Sequence, residues 1–430
     1  MCFRLKFWNF LSYLCAMQPT ISRYLKFNVM YPTWINESPA ADLEAIVVIP
    51  AYNEQELILT LKSLLKAMPF SGSVEVIVVF NDSEAADQEI QEFHKNQLIE
   101  FNAWAAAQHL DQNGISFYFI HATQLPKKKA GVGLARKIGM DEAFRRWAAL
   151  EKNGPIVCLD ADTLVADNYL VEIISHFSNH PKCPGISIAY EHPLEGLNPT
   201  EREAIVLYEL HLRYFLAAKK YAGFPFAFET IGSAMAVRAQ EYAKQGGMNV
   251  RKAGEDFYFL NKFSALPHFK NLNSTKVFPS ARISERVPFG TGRAIGDMLK
   301  EGKKWLTYSP ETIETLFDFY SSIERFYEDD EGWKKMNLNT KLMSYLVKVK
   351  FSESLSELKK NTNSYASFKH RFFRKYDAFQ IMKMLHFFEA EGMERIAVNE
   401  GANWLLGKIT IKGSTKLNNE ELLMKYRNID

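Results

Sequence analysis

Asp160-Ala161-Asp162 follows the apolar run 155–159, and its two carboxylates are the first candidates for chemistry. Acids two residues apart at a strand end can turn toward one oxygen-liganded cation. Mg²⁺ suits such a site, being usually held by one or two carboxylates plus substrate phosphates. Mn²⁺ is the softer alternative. The same triplet also fits a solvated turn in which Asp162 or Thr163 caps the next helix, and by itself an Asp-x-Asp does not separate the two.

A second acidic pair, Glu255-Asp256, opens the helical run 257–263. An acid there is favoured by the helix dipole. It could also serve as a general base that takes a proton from an acceptor hydroxyl. The basic stretch Lys127-Lys128-Lys129-Ala130-Gly131-Val132-Gly133-Leu134-Ala135-Arg136 does not meet the dinucleotide fingerprint G-x-G-x-x-G, because Arg136 stands where the third glycine belongs. What remains is a basic, glycine-rich helix entrance suited to an anionic pyrophosphate, or in part a solvated lysine cluster. Arg282, Arg286 and Pro288-Phe289-Gly290-Thr291-Gly292 form a later basic loop, able to close over phosphates or simply to turn the chain. The histidines, including His192, His211 and His268, show no ligand spacing and are read as structural.

These residues need a scaffold, and the pattern from about residue 45 supplies one. Short β-rich runs at 45–49, 74–80, 115–120, 155–159, 185–189 and 276–283 alternate with helical stretches at 54–67, 132–147, 167–178 and 200–222. A polar, helix-prone insertion occupies 84–112, and 229–263 mixes strand with helix. Such alternation predicts a three-layer α/β unit with a largely parallel sheet. In an open sheet of this kind ligands bind at the carboxyl ends of the strands. Pro50-Ala51-Tyr52-Asn53-Glu54, Asn81-Asp82 and Asp160-Ala161-Asp162 all fall at such ends. In the first of them Asn53 is expected to cap a helix that has Glu54 in its first turn. Beyond about 294 the texture becomes helical and aromatic, with few strand signals until 408–412.

Composition bounds the class. A chain of 430 residues is long enough for two or three structural units, and 47% apolar with 24% charged residues is the balance of a folded soluble protein. A net charge of +2 gives no global field for nucleic acid. Four scattered cysteines without a CxxC pair argue against a zinc site or a disulfide framework and fit a reducing, cytoplasmic compartment. Arg4 and Lys6 precede an apolar stretch at 7–17, which Asn9 and Ser12 interrupt. A docked or interfacial helix touching a membrane face fits that stretch better than a cleaved signal.

Several motifs together resemble family 2 glycosyltransferases of the GT-A fold. They are Val47-Val48-Ile49-Pro50-Ala51-Tyr52-Asn53-Glu54, the stretch 131–139 with Lys137 in place of the family's Asn, and Leu159-Asp160-Ala161-Asp162. Gly232-Ser233-Ala234-Met235-Ala236-Val237-Arg238 and Gly246-Gly247-Met248 then lead into Gly254-Glu255-Asp256. The resemblance spans roughly 45–290 and implies a GT-A domain over 45–294, an N-terminal extension over 1–44 and a mainly helical region over 295–430. It implies a nucleotide-sugar pocket formed by Pro50, Tyr52, Glu54, Asp82, Lys129, Arg136, Asp160 and Glu255. Asp160 and Asp162 would hold Mg²⁺ or Mn²⁺, and Asp256 would act as base in an inverting transfer to a glycan, lipid-linked or small-molecule acceptor.

Two departures matter. Asn81-Asp82 stands where the family often has two acids, which leaves the base preference open. The Gln-x-x-Arg-Trp motif of processive synthases does not follow Asp256, so transfer of a single sugar is expected. A sugar-1-phosphate nucleotidyltransferase would need a glycine-rich, Arg-containing loop after the first strand, where Ala51-Tyr52-Asn53-Glu54 stands instead. A non-catalytic nucleotide-sugar-binding scaffold would be expected to lose Asp162 or Asp256.

Overall fold

The structure, a computed structural model, describes residues 19–108, 114–252, 254–283, 290–301, 305–410 and 417–429. The expectations placed on 7–17, Arg286, Pro288 and Phe289 lie outside the described residues. The chain divides into two compact units. One runs to Pro193 and resumes over Thr230–Ser280, and the other holds Leu194–Glu229 and the described residues from Gly290 onward.

The first unit is built on an eight-stranded sheet of order β3-β2-β1-β4-β7-β6-β8-β5. Its strands are β1 (Leu43–Ala51), β2 (Ser73–Ser83), β3 (Ile115–Leu125), β4 (Pro155–Cys158), β5 (Leu164–Val165), β6 (Gly185–Tyr190), β7 (Met235–Arg238) and β8 (Lys270–Phe278). The neighbours β3, β2, β1 and β4 are all parallel, whereas β7 runs antiparallel to both β4 and β6. Burial explains the order. Every residue of Ala45–Ile49 is 0% exposed, as a central strand covered on both faces requires. Each such aliphatic side chain contributes about 1.5–3 kcal/mol through burial. In β3 exposed Ser116 and Thr123 interrupt the buried positions, which suits its place at the edge of the sheet.

The helices of this unit are α1 (Leu57–Leu65), α2 (Gln88–Ala107), α3 (Val132–Ala149), α4 (Tyr169–Asn179), and, after the excursion into the second unit, α6 (Ala239–Lys244) and α7 (Glu255–Ser264). Helix α3 packs on β1 and β2 and carries an unusual load of buried charge. Each charge has a partner, as burial demands. Arg146 pairs with Glu75, and Lys137 lies 3.0 Å from Asp141. The described part of the N-terminal extension is tied to the same helix. Tyr24 donates to Asp141 at 2.7 Å, and the Trp34 and Ile35 amides donate to Glu142 at 3.2 Å. Lys137 is thus buried between Asp141 and Tyr24, whose hydroxyl is 3.2 Å away.

The second unit is mainly helical. Its long helix α5 (Pro199–Tyr221) starts at a capping box formed by Asn198 and Glu201, with Pro199 in the first turn. Glu209 is fully buried in it and held by Arg213 and Arg427, each at 2.7 Å. Phe319, Phe326, Phe351, Phe372 and Tyr376 pack edge and face in the core of this unit.

The structure corrects several local expectations. The late strand opens at Lys270 and closes at Phe278, because Pro279 has no N–H for the ladder. Lys408 and Ile409 end a helix, Val398–Ile409, whose buried Val398, Ala402, Leu405 and Leu406 keep helical spacing. The second unit's strands are instead the short antiparallel pair β9 (Leu306–Tyr308) and β10 (Arg395–Ala397). Asn53 does not cap α1, which begins at Leu57 with no acid in its first turn. Asn53 adopts a left-handed backbone at φ +46° instead. Neither Asp162 nor Thr163 caps the next helix, since α4 starts after Asn168.

Candidate functional site

The carboxyl end of β4 meets the amino end of α7 through one side chain. Arg136, in the first turns of α3, is 2% exposed. One of its terminal nitrogens donates to Asp160 and the other to Glu255. Two motifs almost a hundred residues apart in sequence are joined by a single guanidinium. Its planar fork suits this task, because it presents fixed donors to two carboxylates at once.

The clamp dictates its surroundings. A Cβ on Gly232 would lie 2.6 Å from one terminal nitrogen of Arg136 and 2.9 Å from the other, so only glycine leaves the fork its space. Gly254 precedes α7 at φ +68°, a left-handed turn that brings Glu255 and Asp256 into the first helical turn. Asp256 accepts a hydrogen bond from the Phe257 amide at 2.7 Å. On the other side, Ala161 is buried and its carbonyl accepts from the Thr60 hydroxyl at 3.0 Å, which anchors the turn carrying Asp160 and Asp162. Asp160 remains 36% exposed and Asp162 half-buried.

The charges at this strand end do not balance within the clamp. Burial works against the charge of Arg136, but Asp160 and Glu255 overcome it, so the guanidinium holds its proton more firmly than usual. Burial, with the neighbouring Asp256 and against Arg136, pushes Glu255 up to about 7. Burial also raises Asp256 above the ordinary carboxylate range. Within the clamp, Asp160, Glu255 and Asp256 all act on the one guanidinium of Arg136. Carboxylate oxygens are the ligand type that a hard divalent cation takes, although among the described residues these acids do not close into one three-ligand group.

A second cluster sits at the ends of β1, β2 and β3. Asp82 is 1% exposed and lies 2.5 Å from His94 Nδ1, on α2, and 2.5 Å from His121 Nε2, on β3. Burial opposes ionisation of Asp82, but the hydrogen bonds from His121 and His94 outweigh it and bring the acid down to about 2. The three groups are close enough together to hold a metal ion, each offering one ligand atom. Hydrogen bonding already accounts for their geometry. The Asn53 amide donates to His94 Nε2 at 2.8 Å, so that nitrogen is an acceptor and Nδ1 carries the proton that goes to Asp82. A metal on Nδ1 would have to displace that proton, leaving an imidazolate.

All ten expected site residues lie in the first unit. Pro50 is buried at the end of β1, and Tyr52 beyond it is 39% exposed. Glu54 is 1% exposed and accepts from the Glu56 amide at 2.9 Å, so its carboxylate closes the local turn. Lys129 is exposed, as are Lys127 and Lys128 beside it. Arg136, Asp160, Glu255 and Asp256 come together, with Asp162 on the same turn as Asp160.

Sequence reasoning missed His94 and His121. A signal for the first existed, since His94, Gln97, Phe101 and Ala105 form the buried stripe of α2. A histidine on such a stripe needs a buried partner. No local pattern marks His121.

Residues 46–238 match the family model described as glycosyl transferase family 2. No curated protein matches the chain. Among solved structures, residues 1–349 of Staphylococcus aureus TarS in complex with UDP-GlcNAc share 13% identity at a TM-score of 0.37, covering 85% of this chain and 82% of that one. The same protein in complex with UDP gives 12% identity and a TM-score of 0.35, covering 77% of this chain and 89% of that one.

Proposed function

We propose that this chain, a glycosyltransferase whose residues 46–238 form a family 2 domain, moves one sugar from a nucleoside-diphosphate sugar to an acceptor hydroxyl by metal-dependent inverting displacement. The observation that carries the reading is the Arg136 clamp, which gathers Asp160 and Glu255 beside Asp256 at one strand end. Asp160 and Asp162 supply the oxygens for Mg²⁺ or Mn²⁺, which when bound would stabilise charge on the departing diphosphate. The exposed lysines at 127–129 add positive charge at the entrance to α3.

Asp256 is the better base of the acidic pair. Glu255 accepts from Arg136, whereas the Asp256 carboxylate accepts from the Phe257 amide at 2.7 Å. Its raised proton affinity brings it closer to the pH at which it must work. A base on the face of the sugar opposite the diphosphate would take the acceptor proton in a single displacement, which inverts the anomeric centre. Tyr52 and Asp82 mark the nucleoside end of the pocket. The acceptor is a glycan, a lipid-linked sugar or a small molecule. Among the described residues no helix is long and apolar enough to cross a membrane. Work in the cytoplasm, with the N-terminal segment touching a membrane face, completes the proposal.

The test is a panel of UDP-, GDP-, CDP- and dTDP-sugars with Mg²⁺ or Mn²⁺, reading diphosphate release and the anomeric configuration of the product. Metal-dependent release of one nucleotide with inversion is the expected result. No release or binding of any donor with either metal would overturn the reading.

A further inference from the structure

The Asp82 cluster carries more than a packing role. Its two histidines are unequal. His94 is 0% exposed and locked from both sides, by the Asn53 amide on Nε2 and by Asp82 on Nδ1. His121 is 17% exposed and gives Nε2 to Asp82, while among the described residues its Nδ1 has no hydrogen-bond partner. Because Asp82 is ionised, both imidazoles must turn an N–H toward it. A neutral His121 then keeps its proton on Nε2, and Nδ1 carries a lone pair. Close by, the Tyr52 ring is 39% exposed and lies 5.7 Å from the His94 ring, offering an aromatic face at the same strand ends.

We propose that the nucleobase contact of this pocket is His121, and that Asp82 acts through it as a positioning residue by fixing its tautomer. The inference rests on the nucleotide-sugar reading above. The lone pair on Nδ1 accepts a ring N–H, which uracil, thymine and guanine present and cytosine and adenine do not. The buried acid therefore selects nucleotides with a ring N–H donor without touching them. A base that brings its own lone pair to Nδ1 binds less well, because two facing lone pairs repel and each loses a hydrogen-bond donor that water supplied.

The locked His94 makes the idea testable by one substitution. In Asp82→Asn the side-chain oxygen must face His94, whose Nδ1 has to remain a donor. The amide nitrogen then faces His121 and donates to Nε2, which moves the proton of that ring to Nδ1. The pocket thereby changes from acceptor to donor.

Binding of UDP and CDP to the full chain with Mn²⁺, measured by calorimetry, is the experiment. Wild type is expected to prefer UDP. In Asp82→Asn the UDP-to-CDP ratio should fall by on the order of tenfold or reverse. His121→Ala should bring the ratio toward one without reversal. Should Asp82→Asn fail to fold, His121→Ala and the ¹⁵N shifts of the wild-type imidazoles still decide. They must show His121 protonated on Nε2 and His94 on Nδ1. A ratio unmoved in both variants, or a wild-type His121 protonated on Nδ1, overturns this inference and leaves the proposed function standing. Absence of binding by any nucleoside diphosphate removes both.

Discussion

The two clusters at the strand ends of the first unit are mirror arrangements of donors and acceptors. At the end of β2 one carboxylate, Asp82, gathers two imidazoles; at the end of β4 one guanidinium, Arg136, gathers two carboxylates. The first satisfies its central charge, and its acid falls to about 2. The second leaves carboxylate in excess, and its Glu255 rises to about 7. A carboxylate met by two N–H donors holds a shape, whereas acids that outnumber their guanidinium offer oxygens to a cation and keep a proton acceptor near working pH. Under the proposed function, that difference puts recognition at one end and reaction at the other.

The sharpest way to break the comparison is at the reacting acid. Asp256→Asn should lower kcat by roughly 10²–10⁴-fold, the usual range for a lost general base, with metal-dependent nucleotide binding retained in calorimetry. Loss of binding as well would make Asp256 a structural acid. Removing the guanidinium attacks the clamp itself. Arg136→Met strands Glu255 in a buried site and should cost about 3–5 kcal/mol in denaturant unfolding. A loss below 1 kcal/mol, read on the same scale of about 3–5, would mean the two acids do not depend on it.

The Asp82 cluster should respond less. His94→Ala removes one donor to Asp82 and the acceptor of the Asn53 amide, for about 1–3 kcal/mol of stability. Gly232→Ala places a methyl group 2.6 Å from Arg136 and should cost about 1–3 kcal/mol with a fall in kcat. An unchanged kcat there would show that the fork can shift without consequence.

The smallest effect is the pH profile. Asp256 must be ionised to accept a proton, and its raised affinity moves protonation upward from the ordinary carboxylate range. Transfer should therefore weaken as pH falls, with an acid limb above the ordinary carboxylate range, and Glu255 near 7 will broaden it. An acid limb confined below that range would remove the burial of Asp256 from the account.

The sequence carried the parallel half of the sheet because its strands advertise themselves. Runs such as Ala45–Ile49 are apolar throughout, end in turn formers and alternate with helical stripes, so local burial alone predicts them. Asp160, Asp162, Glu255 and Asp256 were legible for a similar reason, since acids at a strand end or a helix start stand out against an apolar background. Elements without that contrast were misjudged: β8, shifted along the chain, and the terminal turn of the helix at Val398–Ile409.

What the tertiary structure alone decided is pairing. The sequence shows Arg136, Asp160 and Glu255 as three separate motifs, and His94 and His121 as two unremarkable histidines. Hydrogen bonds between residues as far apart as Arg136 and Glu255 depend on how β4 and α7 meet, and that depends on the whole sheet. The Asp160-Ala161-Asp162 turn was placed by sequence, because a strand end is a local event. Which guanidinium steadies it, and which acid stays outside the guanidinium's hydrogen bonds, follows from long-range packing that no local pattern records.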